Sequence, residues 1–323
     1  MQRHLLQSEH LPLALCVLYF IALAPFAEGF ASAENLGNLL AAMLPLLVLA
    51  TGQTVVMIAA GIDLAATSVI ALASVCGAMV MTSDGGWLAG SPLAVPVAVM
   101  LMLAVGAGVG AVHGALITRL RLPPFIVTLT GMMFFSGVAV WLTRSKSIGL
   151  LPESFLRIGG TPWIAALVAA LAVGAAHLLL TRTLFGRWLF AVGHNPQTAR
   201  ISGVPVNRVL RLAYIGAGLA AGLGAVLITG RLESGSPIHW QKNLLDIIGA
   251  TVIGGTSLYG GKGKVLWTLY GVLFLTLIDN SLNLLNLSYF SIMMVKGGVI
   301  LLASLLDAVR NQMALGSLFF ASR

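Results

Sequence analysis

The chain has 323 residues, 58% of them hydrophobic and only 9% charged, with a formal net charge of +8. Soluble domains carry roughly 25% charged residues, so charges are too few to solvate ordinary globular domains, and a mean hydropathy of +0.97 agrees. These totals exclude a soluble enzyme, a disordered regulator and a fibrous protein; they predict a single all-α, polytopic integral membrane domain over residues 1–323.

A helix needs about 20 apolar residues to cross the hydrocarbon core. The apolar runs predict ten spans, at about 11–27, 41–60, 66–82, 93–118, 123–143, 161–180, 211–230, 244–259, 264–281 and 290–308. Ahead of the first stands Arg3, and Ala31-Ser32-Ala33 imitates a signal-peptide cleavage site, but Glu28 and the bulky Phe30 suit such a site poorly. The third span is short and follows the polar Gly61-Ile62-Asp63. The eighth ends in Gly254-Gly255-Thr256-Ser257 and reads as a helix that enters and returns. Broken or short helices are therefore expected near 61–66 and 254–263.

An even number of spans puts both termini on one side. That side carries twelve basic residues: Arg3, Arg119, Arg121, Arg182, Arg187, Arg200, Arg208, Arg211, Lys262, Lys264, Arg310 and Arg323. The opposite side carries five, namely Arg144, Lys146, Arg157, Arg231 and Lys242, while Lys296 falls within a span. Basic residues collect on cytoplasmic loops, so both termini are predicted in the cytoplasm. The same rule explains the positive charge without a nucleic-acid partner. Cys16 and Cys76 lie in apolar runs and offer neither a disulfide framework nor metal-ligand spacing.

One cytoplasmic loop is long, about 182–210. Within it Asn195 or its neighbour is placed to cap a short helix through Gln197-Thr198-Ala199-Arg200, which Gly203 ends and Pro205 keeps from restarting. Such a helix suits docking on a soluble partner. Gly193 and Gly203 would let the chain enter and leave steeply, the small Ala199 would permit close approach, and Arg200 would offer a charge. The plainer reading is a solvated basic loop that sets topology. The run Gly260-Gly261-Lys262-Gly263-Lys264 lacks P-loop spacing and reads as a tight turn, so nucleotide hydrolysis must come from another chain. Catalytic constellations are absent from the sequence, and the six histidines, at positions 4, 10, 113, 177, 194 and 239, are dispersed. No catalytic residue, metal site or cofactor is assigned to this chain.

Charged groups at membrane depth cost about 2.5–3.5 kcal/mol at a helix centre, so they usually face a cavity or a partner. Asp63, followed by Thr67 and Ser68, is expected to cap the next helix or to line a path. Asp279, Asn280 and Asn283 could contact a polyhydroxylated solute or merely finish a helix, and Lys296 could pair with Asp279 or Asp246. His113 reads as a packed, neutral interior residue. An echo links Ala60-Gly61-Ile62-Asp63-Leu64 to Gly254-Gly255-Thr256-Ser257-Leu258, and paired helix interruptions of that kind point to a transport fold.

Several stretches together resemble the membrane-spanning permease subunits of bacterial ABC importers for simple sugars, of the ribose/xylose/galactose type. Gly61-Ile62-Asp63-Leu64 with Ser68-Val69 is similar to the family's most recognisable signature, and Pro123-Pro124-Phe125-Ile126-Val127-Thr128-Leu129 to another. Phe30 to Leu36 resembles the segment before its second span. Gly186-Arg187, Ala191-Val192-Gly193, Asn195, Ala199-Arg200 and Ser202-Gly203-Val204 resemble its coupling loop. Asn283-Leu284-Leu285-Asn286 and Gly297-Gly298 with Ile300-Leu301 look like its last hairpin. His113-Gly114 stands where the family usually has Asn-Gly, a departure that bears on substrate choice, and Ala65-Ala66 replaces small residues that often include Gly.

The resemblance implies a second permease copy or paralogue, ATP-binding subunits that use ATP and Mg, a periplasmic binding protein, and a place in the bacterial inner membrane. The alternative is a stand-alone ion- or proton-coupled secondary transporter. It would need a buried carboxylate relay, for which Asp246 and Asp279 are the obvious material, and it leaves the capped helix without a role.

Overall fold

The computed structural model describes residues 11–238 and 240–321. The expectations that rest on Arg3, His4, His10, His239 and Arg323 lie outside them. Among the described residues there are thirteen α-helices and no strand: α1 Leu11–Leu23, α2 Ala33–Ile58, α3 Ala66–Met81, α4 Ala94–Arg119, α5 Pro124–Thr143, α6 Glu153–Gly160, α7 Pro162–Arg182, α8 Leu184–His194, α9 Pro196–Ile201, α10 Val206–Arg231, α11 Leu244–Gly254, α12 Val265–Leu284 and α13 Tyr289–Ala321.

Each of the ten apolar runs forms a helix, and seven of these are long and apolar enough to cross a membrane. The exceptions are α1, α3 and α11, with 13, 16 and 11 residues. At 1.5 Å per residue α11 covers about 16 Å, roughly half of a hydrocarbon core, so this eighth segment stops well short of crossing. Gly255 ends it in the left-handed region, at φ +106°.

Helix starts differ from expectation in two places, each for a local reason. Helix α2 begins at Ala33 rather than near 41, because the Ser32 hydroxyl accepts the Asn35 N–H (3.2 Å) and Glu34 lies in the first turn. Helix α10 begins at Val206, directly after Pro205. A proline lacks only an N–H that a first turn leaves free, so Pro205 introduces this helix instead of preventing one. Hydropathy also conceals two short helices, α6 and α8, which mix polar and apolar residues and bury Phe155 and Leu189 respectively.

Small residues let the central helices touch. A Cβ added at Gly106 or Gly110 of α4 would run into the backbone of α10 at Gly218 or Tyr214, and one at Gly218 or Gly222 would run into α4. Close approach of backbones is how membrane helices gain packing energy when lipid is as apolar as leucine. Beside this pair α2 is buried along its whole second half, from Pro45 to Ile58.

The bundle has two distinct ends. At one, the Ser83 N–H donates to the Leu150 carbonyl (3.0 Å), and Ile148 and Gly235 exchange backbone bonds of 2.8 and 2.9 Å. Arg144, Lys146 and Arg231 flank this end. At the other, the Gly261 N–H donates to the Ile58 carbonyl (2.9 Å), with Lys262 next in the chain.

Candidate functional site

Two helix interruptions meet at the second end. The first, residues 59–65, leaves α2 through Ala60 at φ +59°. Inside it Asp63 is 4% exposed, and its Oδ1 accepts the Ala65 N–H at 2.9 Å. That bond holds the turn entering α3, one residue ahead of the helix proper, while the Ser68 hydroxyl donates to the Ala65 carbonyl (2.7 Å). Thr128, in the first turns of α5, donates to the Ile62 carbonyl at 3.1 Å. Tyr214 of α10 closes the other wall: a Cβ on Gly61 would lie 2.5 Å from its hydroxyl. The second interruption, residues 255–264, turns on Gly255, Gly260 and Gly261, all at positive φ. The Ser257 N–H closes that loop on the Lys262 carbonyl at 3.1 Å.

The 182–210 loop lies under both. It holds two helices where one was expected. Thr183 caps α8 by accepting the Gly186 N–H, and Asn195 caps α9 by accepting the N–H groups of Gln197 (2.9 Å) and Thr198 (3.0 Å). Helix α9 ends in a Schellman turn: Val204 N–H donates to the Ala199 carbonyl and Gly203 N–H to that of Arg200, with Gly203 at φ +82°. Gly193 acts differently. It lies within α8, and its missing Cβ, rather than an unusual φ, lets the loop press against the Ile58 carbonyl.

Ala199 does not face outward; at 4% exposure it packs with Leu189, Val192, Val206 and Val209. Close approach of a partner at Ala199 is therefore corrected: the helix presents Ile201, 89% exposed, together with the exposed Arg200. The spacing of one short helix left its buried face open, which is why Ile201 passed unnoticed.

The polar residues at membrane depth fall into two groups. Asp63, Thr67 and His113 sit near the first break. His113 is 2% exposed, stacks edge-on against Phe135 (5.8 Å between centroids), and fills the space a Cβ on Gly131 would take, one turn along α5 from Thr128. Among the described residues, His113 Nε2, the Tyr214 hydroxyl, Gln53 Nε2 and Thr256 Oγ1 are buried without a hydrogen-bond partner. Tyr214 and Gln53, embedded in apolar runs, carried no signal in the sequence.

Asp279, Asn280 and Asn283 lie far along α12 from this break and are engaged within the protein. Asn280 and Asn35 exchange hydrogen bonds of 2.9 and 2.8 Å, tying α12 to α2. Asn283 donates to the Asp279 carbonyl (2.6 Å). Lys296 bridges Asp246 (2.9 Å) and Asp279 (3.1 Å), so it pairs with both candidates. Among the described residues no three His, Cys, Asp or Glu side chains are grouped to hold a metal ion.

A family model described as branched-chain amino acid transport system / permease component matches residues 35–305. The ribose import permease protein RbsC of Escherichia coli (strain K12) is 36% identical over 307 residues, 91% of this chain and 92% of that protein. RbsC of Bacillus subtilis (strain 168) is 38% identical over 293 residues, covering 88% and 87%. The L-arabinose transport system permease protein AraH of Escherichia coli (strain K12) is 33% identical over 312 residues, covering 93% and 90%. No solved structure matches the chain. With a family model spanning most of its length and relatives above 30% identity end to end, this multi-pass membrane protein belongs to the family of transport-system permease components that includes ribose and arabinose import permeases.

Proposed function

We propose that the chain is the membrane-spanning subunit of an ATP-binding-cassette importer and forms the path for a simple sugar or similar small polar solute. A periplasmic binding protein delivers the solute, a second permease copy or paralogue completes the pathway, and a separate subunit hydrolyses ATP with Mg. The chain spans the bacterial inner membrane with both termini and the 182–210 loop in the cytoplasm.

The observation that carries this reading is α9. It is capped at both ends, holds Ala199 inward and exposes Ile201 fully beside Arg200, with Arg187 and Arg208 also exposed. An exposed isoleucine next to an exposed arginine on a basic loop suits an apolar pocket beside acidic residues on a soluble partner. The carboxylates that a secondary transporter would use, Asp246 and Asp279, are both already bonded by Lys296. That favours the importer.

Purification in mild detergent tests the reading. An ATP-hydrolysing subunit is expected to copurify, and uptake into proteoliposomes to require that subunit, the binding protein and ATP. Uptake by the chain alone would establish an ion-coupled carrier instead. For the orientation, single cysteines at Thr198 and Ser145, both exposed, in a background lacking Cys16 and Cys76 should label from opposite sides. Periplasmic labelling of both would sink it.

A further inference from the structure

The loop that meets the partner also meets both helix breaks, and it does so without side chains in between. At the last turn of α8, a Cβ on Gly193 would overlap the carbonyl oxygen of Ile58, the final residue of α2, and would lie 2.7 Å from the Gly261 nitrogen. That same Gly261 N–H donates to the Ile58 carbonyl at 2.9 Å, so the second break is bonded to the first directly beside Gly193. A Cβ on Gly260 would lie 2.6 Å from the Ala60 Cβ and 2.8 Å from the Gly193 carbonyl oxygen. One on Gly261 would lie 3.2 Å from the His194 Cα. Three segments distant in sequence therefore touch backbone to backbone.

We propose that this junction is the transmission element of the coupling loop, with Gly193, Gly260 and Gly261 as positioning residues that make one displacement of α8–α9 move both interrupted helices together. The proposal rests on the importer reading given above and specifies how its cytoplasmic loop acts. Contacts between side chains absorb small displacements by changing rotamer; backbone pressed on backbone has no such freedom, and close-packed interiors transmit strain. The positive φ at Ala60, Gly260 and Gly261 fixes the turns on either side. An apolar seat reinforces the junction, because Leu189 and Val192 of α8 pack in one cluster with Val55, Ile58 and Val265. Val265 is the first residue of α12, so the seat, like the junction, spans both interrupted pairs. Gly203 provides the contrast. It has nothing within 4 Å of an added Cβ, and its work is confined to turning the chain.

Two experiments on the complex of permease, ATP-binding subunit and binding protein, reconstituted in lipid, test the proposal. In the first, Gly193→Ala should leave the ATP-binding subunit bound yet reduce the ratio of binding-protein-stimulated to basal hydrolysis about tenfold, within the usual range for coupling between distant sites. Gly174→Ala, at a helical glycine with open space around it, should keep the wild-type ratio. A wild-type ratio in Gly193→Ala overturns the proposal. The second experiment does not depend on tolerance of that variant. Cysteines replacing His194 and Gly261, in the background lacking Cys16 and Cys76, are close enough to bridge. If the junction moves as a unit, oxidation leaves the solute uptake and stimulated hydrolysis of this double-cysteine protein at the level it shows when reduced. Uptake that stops on oxidation and returns on reduction means the contact opens during the cycle, and the proposal falls. Absence of any ATP-binding subunit from wild-type preparations would instead defeat the importer reading itself.

Discussion

The two interrupted helix pairs, α2–α3 and α11–α12, reach similar geometry by opposite means. Both stop a helix at the same end of the bundle, turn, and start another. The first break is held by side chains: Asp63 on the Ala65 N–H, Thr128 on the Ile62 carbonyl, Ser68 on the Ala65 carbonyl. Its single left-handed residue is an alanine, Ala60. The second is held by main chain, with three glycines at positive φ and the Ser257–Lys262 bond closing the loop. The partners differ as well. Helix α2 is long and buried, whereas α11 is short and is anchored near its start by the Asp246–Lys296 ion pair. The first break is thus vulnerable to loss of a polar group, and the second to gain of a Cβ or loss of its distant anchor.

Substitutions can separate these modes. The largest effect is expected from Lys296→Met, which strikes only the second pair. It leaves Asp246, whose side chain is 12% exposed, without its cation, and removing one partner of a largely buried pair costs about 3 kcal/mol. The apparent melting midpoint of detergent-solubilised protein should fall accordingly; an unchanged midpoint would show that the ion pair does not anchor α11. Next comes Asp63→Leu, which leaves a buried N–H without an acceptor at about 2 kcal/mol. Lower levels of folded protein in membranes, measured by gel filtration of tagged extracts, are the expected outcome. Gly261→Ala should cost about 1.5 kcal/mol for left-handed backbone alone, read in the same melting assay.

The smallest effect sharpens the comparison most. Asp63→Asn keeps an oxygen for the Ala65 N–H, and Asn supports such turns about as well as Asp. Stability should change by less than about 0.5 kcal/mol, with uptake near wild type. Normal protein levels with abolished uptake would show that the charge of Asp63, beyond its bond to Ala65, takes part in transport.

Much of this arrangement was legible along the chain. Ten apolar runs appear as ten helices, and the short eighth run ends where Gly254-Gly255 said it would. Asn195 caps α9, and Gly203 takes the left-handed turn. These features are written by residues near one another in sequence. The misreadings share a cause too. Pro205 was read as a stop because a proline forbids a helix interior but favours its first turn, and only the following residues decide between the two. Helix α8 was hidden because Gly186 and Arg187 interrupt its short apolar run.

By itself the sequence determined the membrane setting, the positions of nearly all helices, the two interruptions and the caps of α9, because hydropathy and capping act within one or two helical turns. The tertiary structure alone decided which face of α9 is buried, that Asn280 binds Asn35, that Lys296 takes both carboxylates, and that Ile58, Gly193 and Gly260–Gly261 form one junction. A glycine reads the same whether it turns a chain, as Gly203 does, or clears space for a distant backbone, as Gly193 does. The difference lies in what occupies the place of the missing Cβ, and that is set by segments far away in the chain.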